Sequence, residues 1–236
     1  MRTRDSSGPD VLRRRRYKAA RESRGTSEGT LHTAVIEALE REGARGSALD
    51  FGAGNGALAE SLYHNGRFED VTVVDLVDYG VPRSVGIQHT FADLNEPLPF
   101  ADGTFDTIVA VEVIEHLENP RAVAREWFRL LRPHGLVVAT TPNVESWRSI
   151  LSLVFRKHFI AFTSANYPAH IVALTQLDLA RTLGEAGFSE PTFFYSERGA
   201  LPRATFTTWQ AVSFGRLRGV RYSDNIGVTA RKHVDD

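Results

Sequence analysis

Apolar and polar residues follow two different periods along this chain, and the period changes from one segment to the next. A spacing of three to four residues, as in Leu31, Val35 and Leu39, predicts a helix with one buried face. Short apolar runs bounded by glycine or polar residues predict buried strands. Because such strands and helices alternate along the chain, we predict an α/β domain whose parallel sheet carries helices on both faces.

Local signals place individual elements on this pattern. The predicted strands are SALDF, VTVVDL, IQHTFADL, the apolar end of ADGTFDTIVAV, LVVATT, PTFFYSE and NIGVTARK. Asn119 and Pro120 are typical of a helix N-cap and first helical residue, and Thr175 with Asp178 predicts a capping box. That later helix should end at Gly187. The helix that contains Leu31, Val35 and Leu39 should end at about Arg41. Further helices are predicted over about 11–24, over VESWRSILSLVF and over ATFTTWQAVSFGRL.

The charge of the chain is uneven. The whole chain of 236 residues carries a formal charge of −1, but residues 1–24 carry nine basic and three acidic groups, a net +6. We therefore divide the chain into a basic arm, residues 1–28, and a domain, residues 29–236, with a helical lid insertion at about 144–174. The arm is interpreted as a solvated tail or a helix lying on an acidic body, with nucleic-acid binding as the alternative.

Composition excludes several classes of site. The chain contains no cysteine, so disulfides, cysteine zinc sites and thiol nucleophiles are excluded. It contains no apolar run near the roughly 18 residues that a membrane span requires. The N-terminus lacks the apolar region of a secretory signal, and we expect a cytoplasmic location.

The stretch LDFGAGNG carries the candidate chemistry. Gly52, Gly54 and Gly56 after a predicted strand fit a dinucleotide site, an S-adenosylmethionine site or a structural turn. Asp50 favours the second, because a carboxylate beside the loop would repel a pyrophosphate but would attract an ammonium and a sulfonium. Asp75, at the end of VTVVD, is placed to accept the two ribose hydroxyls. The next strand ends at Asp93, within reach of an adenine amino group, and the purine would lie between Leu76 and Leu94.

The block from Asp93 to Asn143, DLNEPLPFADGTFDTIVAVEVIEHLENPRAVAREWFRLLRPHGLVVATTPN, together with LDFGAGNG, resembles the class I S-adenosylmethionine-dependent methyltransferases. The resemblance is to the ubiquinone-biosynthesis subgroup and extends to about Phe188. It implies a Rossmann-like, mostly parallel sheet of seven strands whose last strand is antiparallel. It also implies that the glycine loop holds the methionine part of S-adenosyl-L-methionine, that Val111 and Glu112 border that part, and that His116 is the family's recurrent histidine. Only 17 residues separate Asp75 from Asp93, so the usual intervening helix should be short or lost.

Methyl transfer to a hydroxyl needs a base, and His116 and His170 are the candidates. The sequence has no metal-binding motif of recognised spacing. The predicted function is methyl transfer to a small-molecule oxygen nucleophile, such as a glycan, a quinone-like compound or a secondary metabolite. We do not expect nucleic acid as the acceptor, because VEVIEH replaces the N-P-P-Y-type motif of amino-methylating enzymes. The rivals are a nucleic-acid or protein methyltransferase recruited through the arm, a nicotinamide-dependent oxidoreductase, and a non-catalytic cofactor-binding module.

Overall fold

Seven strands form one sheet in the order β3-β2-β1-β4-β5-β7-β6. A computed structural model describes residues 9–23, 25, 29–80 and 86–233. The strands are β1 (Gly46–Phe51), β2 (Phe68–Asp75), β3 (Ile87–Phe91), β4 (Phe105–Val111), β5 (Leu131–Pro142), β6 (Thr192–Tyr195) and β7 (Asn225–Arg231). The helices are α1 (Pro9–Ser23), α2 (Gly29–Arg41), α3 (Ala57–His64), α4 (Pro120–Leu130), α5 (Trp147–Arg156), α6 (Gln176–Glu185) and α7 (Trp209–Val212).

Strands β1 to β5 pair in parallel, and β7 runs antiparallel to both of its neighbours, β5 and β6. The predicted sheet type, number of strands and antiparallel last strand are therefore confirmed. Parallel register brings the carboxyl ends of β1, β2 and β4 to one edge, since Phe51 pairs with Val74 and Asp50 pairs with Val109. Residues that follow these three strands consequently meet at that edge.

Alternation along each strand feeds two apolar layers. In β1, Ala48 packs in the layer that contains Val35 of α2 and Leu62 of α3, whereas Leu49 packs in the layer of α4 and α6. Trp127 of α4 is fully buried in the second layer, with its ring edge-on to Phe51 at 5.6 Å. Helices on both faces were predicted, and both layers are present.

Helix boundaries follow the predicted signals. The Asn119 side chain accepts the Ala122 amide at the start of α4. Thr175 and Asp178 form the reciprocal capping box of α6. Gly187 follows α6 with a φ of 102°, a left-handed conformation that favours glycine.

Two predicted segments differ from the structure. The predicted helix over residues 204–217 is reduced to α7, because the Leu201 amide donates to the Thr207 carbonyl and Ala200 forms a β-bridge with Thr208. Strand β5 begins before the predicted strand LVVATT and includes the residues RPHG, with a register shift opposite Phe105 and Thr107. Between Asp75 and Asp93, the described residues 76–80 and 86 contain no helix, as expected.

Candidate active site

A cavity of about 670 Å³ lies at the edge where β1, β2 and β4 end. Ligand sites of parallel α/β sheets lie at this edge. The cavity is lined by eleven of the twelve predicted site residues: Asp50, Gly52, Gly54, Asp75, Leu76, Asp93, Leu94, Val111, Glu112, His116 and His170. The twelfth residue, Gly56, lies outside this lining. Its left-handed φ of 78° makes it the N-cap that turns the buried chain into α3.

The glycine loop, residues 52–56, has glycine at positions where other parts of the chain approach its backbone closely. Gly52 and Gly54 have φ values of 83° and 54°, which L side chains rarely adopt. A Cβ at Gly52 would lie 2.5 Å from a Val113 methyl group, and a Cβ at Gly54 would press on the Gly25 carbonyl, with the carbon 2.7 Å away. The loop therefore presents main chain to the cavity at both positions.

Asp50 is a buried acid with an unsatisfied oxygen. Asp50 is only 2 % exposed, and within the described part of the chain its Oδ2 has no hydrogen-bond partner. Burial, with a contribution from the charge of Asp75, raises the pKa of Asp50 to about 7. A cationic group in the cavity would stabilise the ionised form.

Asp75 and Asp93 already have protein partners. Asp75 Oδ2 accepts the Gly54 amide at 2.9 Å, Oδ1 accepts the Val77 amide at 3.2 Å, and burial raises its pKa. Asp93 Oδ1 accepts the amide of Asn95 at 3.0 Å. Asp93 Oδ2 accepts a hydrogen bond from Arg16 at 3.0 Å.

The predicted arm contains α1, which borders the cavity. Leu12, Arg16 and Ala20 of α1 are lining residues, and the Tyr79 hydroxyl donates to the Ala20 carbonyl. The glycine loop contacts the same segment, since the Asn55 amide donates to the Gly25 carbonyl at 2.9 Å. Sequence reasoning missed ten polar lining residues, namely Arg15, Arg16, Lys18, Ser23, His32, Asn55, Tyr79, Asn95, Glu118 and Tyr167. The position of Asn95, two residues after a strand-end acid, was the available signal.

Three titratable side chains meet beyond β4. His116 ends a 3₁₀ turn (Ile114–His116), its Nδ1 lies 2.8 Å from the Ala169 carbonyl oxygen, and the His170 ring is 4.8 Å away between centroids. The Ala169 carbonyl can only accept, so Nδ1 carries the proton and Nε2 keeps its lone pair in the neutral ring. Burial lowers the pKa of His116, and burial with the adjacent His116 lowers the pKa of His170 to about 4.

Glu115 completes this cluster. It is fully buried, neither carboxyl oxygen has a hydrogen-bond partner within the described residues, and Oε1 lies 3.9 Å from His116 Nε2. Burial raises the pKa of Glu115 to about 8. One donor atom each from Glu115, His116 and His170 lie within 4.8 Å of one another, a set that could hold a divalent cation. Motif spacing could not reveal it, because His170 comes from a distant segment.

A second cavity of about 360 Å³ shares Glu112 and His170 with the first. The backbone of Glu112 has a φ of 57°, and its amide donates to Thr140. Strain of this kind often occurs at functional sites. The second cavity has a largely polar lining, which includes Arg148, Ser149, Ser196, Arg198, Thr208 and Asn225.

The segment predicted as a lid insertion, at about 144–174, contributes residues to both cavities, but the apolar side chains of α5 are not among them. Trp147, Leu151, Val154 and Phe155 of α5 are exposed and line neither cavity. The buried positions of α5 are Ser149 and Ser152. Lining residues come instead from Arg148, Ser149 and the segment 160–171. The exposed apolar side chains of α5 therefore lie outside both cavities, and the lid at about 144–174 stays a prediction.

Comparison with known proteins identifies the family. Residues 17–189 match the sequence profile of the Methyltransferase domain family. The chain belongs to the class I S-adenosylmethionine-dependent methyltransferases. It is 32 % identical over 117 residues to a ubiquinone biosynthesis O-methyltransferase of Xanthomonas oryzae, covering 46 % of this chain and 47 % of the relative. A protein of the same name from Psychrobacter arcticus is 24 % identical over 152 residues, covering 60 % and 58 %. The chain thus spans about half the length of these curated relatives.

Solved structures agree on the fold of this methyltransferase. An S-adenosylmethionine-dependent methyltransferase from Archaeoglobus fulgidus aligns with a TM-score of 0.64 at 16 % identity, covering 92 % of this chain and 99 % of that one. A methyltransferase from Haloferax volcanii, solved with the activator Trm112, aligns with a TM-score of 0.65 at 15 % identity, covering 93 % and 98 %. The [4+2]-cyclase SpnF also aligns, with a TM-score of 0.58 at 17 % identity, covering 86 % and 81 %. Fold alone therefore does not fix the reaction.

The cavity of this methyltransferase fits S-adenosyl-L-methionine, the cofactor of its family. The unsatisfied Asp50 oxygen suits a cationic ammonium, and the main-chain cradle at Gly52 and Gly54 suits an amino acid tail. Within the described residues, no helix combines the length and apolar composition needed to cross a bilayer.

Proposed function

We propose that this methyltransferase transfers a methyl group from S-adenosyl-L-methionine to a hydroxyl oxygen of a small molecule. The observation that carries the proposal is the 2.8 Å contact between His116 Nδ1 and the Ala169 carbonyl oxygen, because it leaves Nε2 as the proton acceptor of a neutral ring on a residue that lines the cofactor cavity. The similarity to the Xanthomonas protein, which is named an O-methyltransferase, supports an oxygen nucleophile.

The residues of the first cavity would hold the cofactor in parts. Asp50 would bind the ammonium, the main chain of Gly52 and Gly54 would lie against the methionine part, and Asp75 would bind the ribose. Asp93 would bind the adenine amino group between Leu76 and Leu94, and Val111 and Glu112 would border the sulfonium. When bound, the cofactor supplies a methyl group that its positive charge already activates.

Positioning and proton removal are then the tasks of the chain. Alignment of reacting groups contributes on the order of 7–11 kcal/mol in favourable cases. His116 Nε2 accepts the hydroxyl proton, and the Ala169 carbonyl stabilises the imidazolium that results. His170 packs edge-on against His116 and orients its ring. The acceptor extends into the second cavity, whose polar lining suits a hydrophilic molecule.

Two rivals are weaker on this geometry. A nicotinamide dinucleotide would bring its pyrophosphate toward the carboxylate of Asp50, which is buried beside the loop. Recruitment of nucleic acid through the arm would compete with the contacts that α1 makes at the cavity. Calorimetry distinguishes the cofactors: binding of S-adenosylhomocysteine is expected, and binding of NAD in its place would contradict the proposal.

The reaction is tested by supplying methyl-labelled cofactor and pooled small metabolites, then identifying labelled products. His116→Ala should keep its affinity for S-adenosylhomocysteine and lose about 10²–10⁴-fold in turnover. His64→Ala is the matched control, because His64 is exposed and lies outside both cavities. A proton-acceptor role also requires that turnover survive chelation. Loss with EDTA and recovery with a divalent cation would reassign the cluster to a metal.

A further inference from the structure

Arg16 joins α1 to three carboxylates beside the cofactor cavity. Its guanidinium donates to Asp93 at 3.0 Å, to Glu96 at 2.7 Å, and to both carboxylate oxygens of Glu118 at 3.1 and 2.7 Å. The Arg16 side chain is only 13 % exposed. Bidentate arginine–carboxylate pairs are among the stronger and more directional ion pairs.

Two of the three acids, Asp93 and Glu118, line the cavity on different sides, and Glu96 lies close to Asp93 in the chain. Asp93 and Glu96 lie in the loop after β3, and Glu118 lies just after the 3₁₀ turn that contains His116. One arginine on α1 therefore connects the adenine side of the cavity with the side that holds the candidate base. Glu96 and Glu118 are more exposed than Asp93, at 61 %, 40 % and 14 % of their side chains. The Asp93 contact is the one protected from solvent.

Asp93 is held in one orientation by this contact. Its Oδ1 accepts the Asn95 amide and side chain at 3.0 and 3.2 Å, and its Oδ2 accepts Arg16. Each carboxylate oxygen has two lone pairs, so an oxygen with one partner can still accept a further donor. Without Arg16, the Oδ2 end would lose its protein contact, and a carboxylate at the cavity edge would be free to rotate into solvent.

We propose that Arg16 is a positioning residue for adenine: it fixes Asp93 to accept the amino group and keeps α1 over the cavity. The inference rests on the assignment of Asp93 to adenine in the proposed function. It goes beyond family membership, because the matched profile begins at residue 17, one position after Arg16.

The other residues of α1 do not replace the contact that Arg16 makes with Asp93. Leu12, Arg15, Lys18, Ala19, Ala20 and Ser23 also line the cavity, but in the described part of the chain the hydrogen bond and ion pair from α1 to Asp93 come from Arg16. The nearby Arg13, Arg14 and Arg15 are exposed, with no ion pair in the described part of the chain. Arg14 also lies outside the cavity lining. Arg14→Met is therefore a matched control that removes the same charge from the same helix.

The test compares two ligands by calorimetry in the full chain. S-adenosylhomocysteine carries the adenine amino group, and S-inosylhomocysteine carries a carbonyl in its place. Wild type and Arg14→Met should favour S-adenosylhomocysteine by tenfold or more. Arg16→Met should bind S-adenosylhomocysteine at least tenfold more weakly and lose most of this preference, and Arg16→Lys should recover part of both. Loss of general binding strength alone would reflect only a displaced helix, so the ligand ratio decides.

Each outcome has one meaning. A wild-type preference retained in Arg16→Met overturns the inference while leaving the proposed function intact. A wild type that binds both ligands equally overturns the assignment of Asp93, and with it this inference. A wild type that binds neither ligand overturns the proposed function itself. Circular dichroism of Arg16→Met confirms that the domain is folded, and Asp93→Asn should reproduce the loss of preference with Arg16 present.

Discussion

Replacement of Gly54 by alanine should loosen the contact between the glycine loop and the segment that follows α1. The Gly54 Cβ would press on the Gly25 carbonyl, with Gly25 C at 2.7 Å and Gly25 Cα at 2.9 Å. These are main-chain atoms, so no side-chain rotation can relieve the overlap. Gly25 and the loop must move apart, and the hydrogen bond from the Asn55 amide to the Gly25 carbonyl must lengthen.

The magnitude has two parts. A left-handed φ disfavours a non-glycine residue by about 1–2 kcal/mol. Overpacking adds typically 1–3 kcal/mol. Gly66→Ala provides the matched control, because Gly66 has a similar φ of 71° and nothing within 4 Å of the added Cβ. The difference between the two variants, about 1–3 kcal/mol, isolates the steric part.

Two assays measure this difference. Urea denaturation of both variants should show Gly54→Ala less stable than Gly66→Ala by that amount. Calorimetry should show at least tenfold weaker binding of S-adenosylhomocysteine to Gly54→Ala only, because the main-chain cradle is displaced. If the two variants are equally stable and bind equally well, the close approach of Gly25 to Gly54 has no energetic role and the argument fails.

Three further changes have defined outcomes. When wild type binds S-adenosylhomocysteine near pH 7, it should release roughly half an equivalent of protons, because the ligand's cation lowers the raised pKa of Asp50. This proton release should disappear in Asp50→Asn, and calorimetry in buffers of different ionisation enthalpy measures it. As the pH rises from about 4.5 to 8, the unfolding free energy of Glu115→Gln should increase relative to that of wild type by up to a few kcal/mol. Folded wild type binds the Glu115 proton more tightly than the unfolded chain does, and this stabilisation is lost as the pH rises to the folded pKa of about 8. Asn119→Ala should lower the unfolding free energy by about 1 kcal/mol in urea titrations, because the N-cap of α4 loses its acceptor for the Ala122 amide.

Contrary results would be equally specific. Proton release that persists in Asp50→Asn would place the titrating group elsewhere. A pH-independent difference between Glu115→Gln and wild type would mean that Glu115 is already ionised in the folded protein. No change in Asn119→Ala would mean that water replaces the cap.

Local sequence was sufficient for most of the fold. Short apolar runs identified every strand, and the period of 3.6 residues identified nearly every helix, since both patterns reflect which residues an element buries. The caps at Asn119 and Thr175 were readable because capping bonds span only three residues. The predicted helix at 204–217 was wrong because a β-bridge between Ala200 and Thr208 holds the start of this segment in an extended conformation. Gly56 was assigned to the pocket by pattern alone, although its conformation serves the start of α3.

The acids at strand ends could also be predicted, because parallel strands end at one edge and their order follows from topology. Side chains that meet from distant segments could not be paired from sequence. His170 reaches His116 only through the insertion, and Arg16 reaches Asp93 across 77 residues. Periodicity encodes which face an element buries, but not which element lies opposite. The order of residues along the chain was enough to predict the sheet and the glycine loop, whereas the contacts of Arg16 with Asp93 and of His170 with His116 exist only in the folded chain.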